Sequence, residues 1–232
     1  LAQPKVDQLR YLYGSWTSMD TGAMYFNREW CELVDYPPTD CVSRVRAYDL
    51  AATEVTEMSS FDPDFTVGIK MSRDRFGVYY VEDMVRYRKR TEAVLKEIVK
   101  VARQDGLDVQ VSIPQDAGGA GKTAVHFYCT NLAENGVYAR KMMVSGHSSK
   151  LTRFKPFCAL AEAGNVKVIR AEWNEDFFAE LEAFKGERSR RGQHDDVVDS
   201  VADAATILMR MQSMPTFSIP SLTQASPIAT IS

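Results

Sequence analysis

A mixed α/β fold, one sheet flanked by helices, is what this sequence predicts, and two observations carry the reading. Three strand-like runs near 44–52, 65–72 and 77–86 follow one another closely enough for an antiparallel meander, with Asp62-Pro63-Asp64 marking the loop between the first two. Helical and extended patterns then alternate through the rest of the chain, the order expected of strands that are parallel and joined by helices.

Each later element has its own signal. Val94, Leu95, Ile98, Val101 and Ala102 recur at helical spacing and predict a helix over 91–104. Val109, Val111 and Ile113 alternate over a strand at 109–114, which Pro114 ends. A helix near 120–133, a strand at 137–144, a helix near 148–163, a short strand at 166–170 and a helix at 175–185 follow. The last helix, 196–212, gathers Val197, Val198, Val201, Ala205 and Leu208 on one face. Residues 1–43 are aromatic-rich, with Tyr11, Tyr13, Trp16, Tyr25, Phe26 and Trp30 before a Pro37-Pro38 break, and read as a linker or N-terminal arm packed on the core. The folded domain is assigned to 44–212. The Ser, Thr and Pro content of 213–232 marks a disordered tail. No internal repeat is present.

Composition sets the outer limits. With 232 residues, 45% hydrophobic and 25% charged, the chain can bury one good core and supports one domain with extensions. No apolar run approaches the length of a membrane span and the N-terminus lacks a signal-peptide pattern, so a soluble intracellular protein without membrane association is expected. Cys31, Cys41, Cys129 and Cys158 have no zinc-like spacing and read as reduced, mostly interior thiols. The chain starts at Leu1, which suggests a piece of something longer.

Three aspartates carry the functional signal. An ionised carboxylate on an apolar strand is costly unless it is paired or binds a cation. Alternation puts Asp49 on the side of Val45, Ala47 and Ala51, where it has little to gain structurally. Asp116 comes just after Pro114 at the tip of its strand, followed by the flexible Ala-Gly-Gly-Ala-Gly run. Asp196 and Asp199 lie three apart at the start of the last helix and can project from one side, while Asp195 suits the N-cap. Oxygen ligands of this kind suit Mg2+ or Mn2+, and a pair of such ions activates water and steadies a leaving phosphate oxygen.

The net charge of −3 argues against a general polyanion binder, but the charges are grouped. No acid occurs from Asn135 to Ala161, where Arg140, Lys141, Lys150, Arg153 and Lys155 form a candidate track for a phosphate backbone. Arg86, Arg88, Lys89 and Arg90 make a second cluster, and Arg188, Arg190 and Arg191 a third. The run Gly118-Gly-Ala-Gly-Lys122-Thr123 imitates a phosphate-binding P-loop, yet Asp116 stands where that loop needs its first glycine. Lys122 is therefore assigned to DNA or to the acid cluster, and no ATP site is expected.

Taken in order, Val45-Arg-Ala-Tyr-Asp-Leu-Ala-Ala-Thr-Glu, Asp64-Phe-Thr-Val-Gly, Gln115-Asp-Ala-Gly-Gly-Ala-Gly-Lys, Lys150-Leu-Thr-Arg-Phe-Lys-Pro, Gly164-Asn-Val and His194-Asp-Asp-Val-Val-Asp make the chain from about Trp30 to Leu208 resemble a known family. The family it resembles is the C-terminal nuclease domain of the large terminase subunit of tailed double-stranded DNA phages. The resemblance implies a ribonuclease H-like fold, with three antiparallel strands and then parallel ones. It also implies a DNA endonuclease that uses two Mg2+ or Mn2+ ions to cut concatemeric double-stranded DNA during genome packaging, in the cytoplasm of the host. By this likeness Asp49 and Asp116 are the first two metal-bridging acids. Asp196 is the choice for the third, with Asp195 the competing register, Asp199 a further ligand, and Asp64 either an auxiliary acid or a turn residue. Lys150, Arg153 and Lys155 match a basic helix start that holds the DNA backbone. The portal protein and small terminase subunit are the implied partners, and the family's ATPase motor domain is absent from this chain. The alternatives are a Holliday-junction resolvase or transposase-type nuclease on the same fold, and a non-catalytic docking domain for DNA or portal.

Overall fold

Strand alternation and helical periodicity translate into a two-faced sheet in the computed structural model, which describes residues 25–51, 65–115, 119–143, 149–186 and 194–212. The strands are β1 (Glu32–Val34), β2 (Ser43–Asp49), β3 (Thr66–Arg73), β4 (Tyr79–Tyr87), β5 (Val109–Gln115), β6 (Ala139–Met143) and β7 (Val166–Ile169). The helices are α1 (Thr91–Asp105), α2 (Gly119–Glu134), α3 (Lys150–Glu162), α4 (Asn174–Ala183) and α5 (Asp196–Gln212). All seven strands join one sheet in the order β1-β7-β4-β3-β2-β5-β6. β2, β3 and β4 form the expected antiparallel meander. β5 and β6 extend it in parallel beside β2, and β7 and β1 extend it in parallel beside β4.

The two faces bury separate cores. Val45, Ala47, Val67, Ile69 and Met71 point toward α3, α4 and α5. On the opposite face Tyr48, Val111 and Ile113 meet Val94 and Ile98 of α1 and Val125 and Leu132 of α2. Asp49 is two residues beyond Ala47, so it belongs to the face covered by α5, as the alternation indicates.

One strand has no sequence signal. Glu32–Val34 pairs in parallel with Val166–Ile169 at the sheet's edge, and three residues are too few to show alternation. Just before it Phe26 is fully buried, its ring stacked with those of Phe157 and Phe178 at centroid distances of 5.9 and 6.3 Å. Asp62-Pro63-Asp64, Asp116, the arginines at 188–191 and the segment 213–232 lie outside the described residues. The four cysteines are free, and burial raises the Cys31 thiol to about 12. Among the described residues no helix is long and apolar enough to cross a membrane.

Arg46 locks the helix-α1 face. Its guanidinium is buried and reaches Asp105 at 2.5 Å and Asp83 at 2.7 Å, and it donates to the Gly68 carbonyl at 3.2 Å. Such a group is more a constraint on register than a net gain, because desolvation offsets much of the attraction. Gly68 leaves room for the neighbouring Tyr48 ring: a Cβ there would meet that ring at 2.5 Å and Val85 at 2.9 Å. Gly68→Ala is expected to lower unfolding stability by about 1–3 kcal/mol through overpacking, measurable by urea denaturation.

Candidate metal centre

The carboxyl ends of the parallel pair β2 and β5 form the edge of the candidate site. Asp49 is the last residue of β2, and Asp116 directly follows Gln115, the last residue of the neighbouring β5. The third element is α5, whose small and branched residues Val197, Val198, Val201, Ala204 and Ala205 let it lie close against β2 and β3. Ser200 fixes the approach: its buried hydroxyl donates to the Ala47 carbonyl at 2.8 Å and accepts from the Ile69 amide at 3.1 Å. The helix start, with Asp196 and Asp199, is thereby held over Asp49.

The acids are compensated unequally. Asp199 is gripped by Lys150 at 2.6 Å and by the Arg153 guanidinium. Asp195, at the position before the helix, also meets Lys150, at 2.7 Å. Asp196 accepts the Phe65 amide at 3.1 Å, and His194 lies 3.7 Å away. The Asp49 carboxylate makes no hydrogen bond or ion pair among the described residues. Burial, then the charges of Asp199 and Asp196, push its carboxyl well above the ordinary carboxylate range, with only Lys150 acting against them. Asp49 is thus half-buried at the strand end and short of counter-charge.

Two acids that sequence reasoning missed support this cluster. Asp203 is buried and accepts from Arg153 at 3.1 Å; burial raises it to about 6. Its signal was available, since Asp196, Asp199 and Asp203 fall on one helical face. Glu180 of α4 accepts the Val197 amide at 2.6 Å and Arg86 at 3.0 Å, so it caps the start of α5, and burial raises it to about 7. An acid three residues after Phe177 and next to Leu181 interrupts an apolar stripe, which was its only trace. Behind it, Phe65 is faced by the guanidinium groups of Arg86 and Arg88 at 3.9 and 3.8 Å and by the His194 ring at 5.1 Å. Arg86 and Arg88 of the second basic cluster thus brace the site from behind.

Of the predicted DNA contacts, Lys122 is exposed in the first turn of α2 and Lys141 is exposed on β6. Arg140 lines a groove with Val42, Leu107 and Tyr138 at the other end of β2 and β5, away from the acids. Lys150 and Arg153 turn toward the acids, while Lys155 is half-buried. Among the described residues no three His, Cys, Asp or Glu side chains group closely enough to enclose a metal; Asp116 and Asp64 lie outside them.

The matching of this arrangement to known proteins is decided by residues 46–206, which fit the family described as the Terminase RNaseH-like domain. The chain belongs to that family. No curated protein matches it. Among solved structures, the nuclease domain of the P22 large terminase is similar at a TM-score of 0.54 and 16% identity, covering 81% of this chain and 91% of that one. The nuclease domain of the Thermus phage P74-26 large terminase follows at 0.51 and 15%, covering 78% and 93%. At these identities the likeness is one of fold, and it agrees with the ribonuclease H-like sheet seen in this terminase domain.

The buried acids give a signed pH response. Asp203, raised from 3.8 to about 6, and Glu180, raised from 4.5 to about 7, hold protons in the folded state that the unfolded chain has already released. Their contribution to stability is therefore full below about pH 4 and is lost as pH rises through about 6 to 7. In chelator, Asp203→Asn is expected to flatten this fall by on the order of 2 kcal/mol, read from denaturant midpoints across pH 4 to 8.

Proposed function

We propose that this domain is a divalent-metal-dependent endonuclease that cuts double-stranded DNA, and that its cut serves viral genome packaging. The observation that carries the reading is the uncompensated Asp49 carboxylate close to Asp196 and Asp199. A strand end and a helix start pressed together with excess negative charge make a poor structural element and a good oxygen-donor set for Mg2+ or Mn2+.

Asp49, Asp116 and Asp196 are the proposed ligands, with Asp199 in reserve through its contact with Lys150 and with Asp195 and Asp64 as outer acids. When bound, a pair of such ions supplies an activated water and stabilises the oxygen leaving the phosphodiester. The chain's own part is positional. Ser200 sets the distance between helix and sheet, and Glu180 fixes the helix start. The Phe65 amide turns the Asp196 carboxylate, so the helix start and this one donor are fixed without an ion. Lys122, Lys141 and Lys155 are proposed to meet the DNA backbone, with Arg140 farther along the same duplex; phosphate contacts of this kind position DNA without reading its sequence. The portal protein, the small terminase subunit and the host cytoplasm complete the proposed setting.

Supercoiled plasmid cleavage in Mg2+ or Mn2+ tests the reading. Asp49→Asn, Asp116→Asn and Asp196→Asn are each expected to lower cleavage at least about a hundredfold with folding retained, and a chelator should abolish it. Binding without cutting in every metal would instead favour a docking domain. A clear preference for four-way junctions over plain duplex would favour a resolvase.

A further inference from the structure

Helix α3 begins with two cations at the end where a helix favours anions. Lys150 is its first residue and Arg153 its fourth, and its first turn contains no acid. The compensation comes from the start of α5. Lys150 Nζ lies 2.7 Å from Asp195 Oδ1 and 2.6 Å from Asp199 Oδ2, between two carboxylates. Arg153 spans Asp199 and Asp203, the acids one turn apart, with its side chain 17% exposed.

The two cations differ in how firmly they are held. Arg153 is bound in a fork by two acids, one of them buried, and belongs to the packed interior. The Lys150 side chain is 42% exposed and carries its charge on a flexible stem that can turn into solvent. Its ammonium touches Asp199, its charge reaches Asp49, and it opposes the repulsion among these acids as a bound cation would.

We infer that Lys150 is a displaceable internal counter-ion: its ammonium holds Asp195 and Asp199 in the metal-free protein and gives way when a divalent cation binds the acids. Metal loading is then a competition, and the site holds ions more weakly than its carboxylates alone would. This rests on the metal-site reading of Asp49, Asp196 and Asp199. It also makes Lys150 a positioning residue for the metal-free acids, separate from any part in gripping DNA.

Calorimetric titration of Mn2+ into the chelator-treated chain, with free Mn2+ counted by electron paramagnetic resonance, tests the inference without any turnover. Lys150→Met is expected to bind Mn2+ roughly three- to tenfold more tightly than wild type, while Lys150→Arg stays near wild type. Lys150→Gln, which keeps a polar tip at this half-exposed position, serves as the second neutral variant should the methionine disturb folding. A purely structural lysine would lower the metal-free melting temperature without tightening the metal. Unchanged or weaker Mn2+ binding in both neutral variants, with Asp49→Asn still weakening it, overturns the counter-ion and leaves the metal centre standing. Absence of Mn2+ binding in wild type and neutral variants alike overturns both.

Discussion

The Ser200 hydroxyl, wedged between the Ala47 carbonyl and the Ile69 amide, is the contact on which the arrangement of this domain depends. It satisfies a donor and an acceptor on two adjacent strands from a helix side chain, so the helix cannot slide or lift without leaving buried polar groups unpaired. The valines and alanines around it make so close an approach possible. Distance between the acids follows from this contact: Asp196, Asp199 and Asp203 ride on the helix, and Asp49 ends one of the strands it fastens.

Charge in the cluster is graded by depth. Arg153 balances the buried Asp203 and part of Asp199, Lys150 balances the outer part of Asp199 and Asp195, and an amide serves Asp196. Asp49 is left with burial and the repulsion of Asp199 and Asp196, opposed by the charge of Lys150. The fold thus gives the buried Asp203 a fixed guanidinium, Asp195 and Asp199 a half-exposed ammonium, and Asp49 at the strand end no contacting cation among the described residues.

Much of the fold was legible because the sequence repeats at the two periods that chains can adopt. Alternation of Val45 and Ala47 placed Asp49 on the correct face, and Val197, Val198 and Val201 marked the buried side of the last helix. The edge strand at Glu32–Val34 was not legible, being held by pairing with Val166–Ile169 rather than by its own pattern. Within the site, the acids were recognisable by residue type but their partners were not. Lys150 and Arg153 read as a basic track because a sequence shows charge and not partners; folding pairs both with the acids of α5. Ser200 carries no signal at all, since a serine in a helix is ordinary until a carbonyl and an amide are found on either side of it. Glu180 was hidden for a related reason: its partner is the backbone of Val197, which no side-chain pattern announces.

The margins of the sheet have a consequence for the protein's behaviour in solution. One margin is the three-residue β1, whose Glu32 is tied to Lys167 at 2.8 Å, and the other is the five-residue β6, which carries the exposed Arg140 and Lys141. An open ladder invites a strand from another molecule, and short borders studded with charge are the usual defence. Among the described residues, neither border of the seven-stranded sheet offers a long, neutral template on which strands of other copies could stack into a fibril.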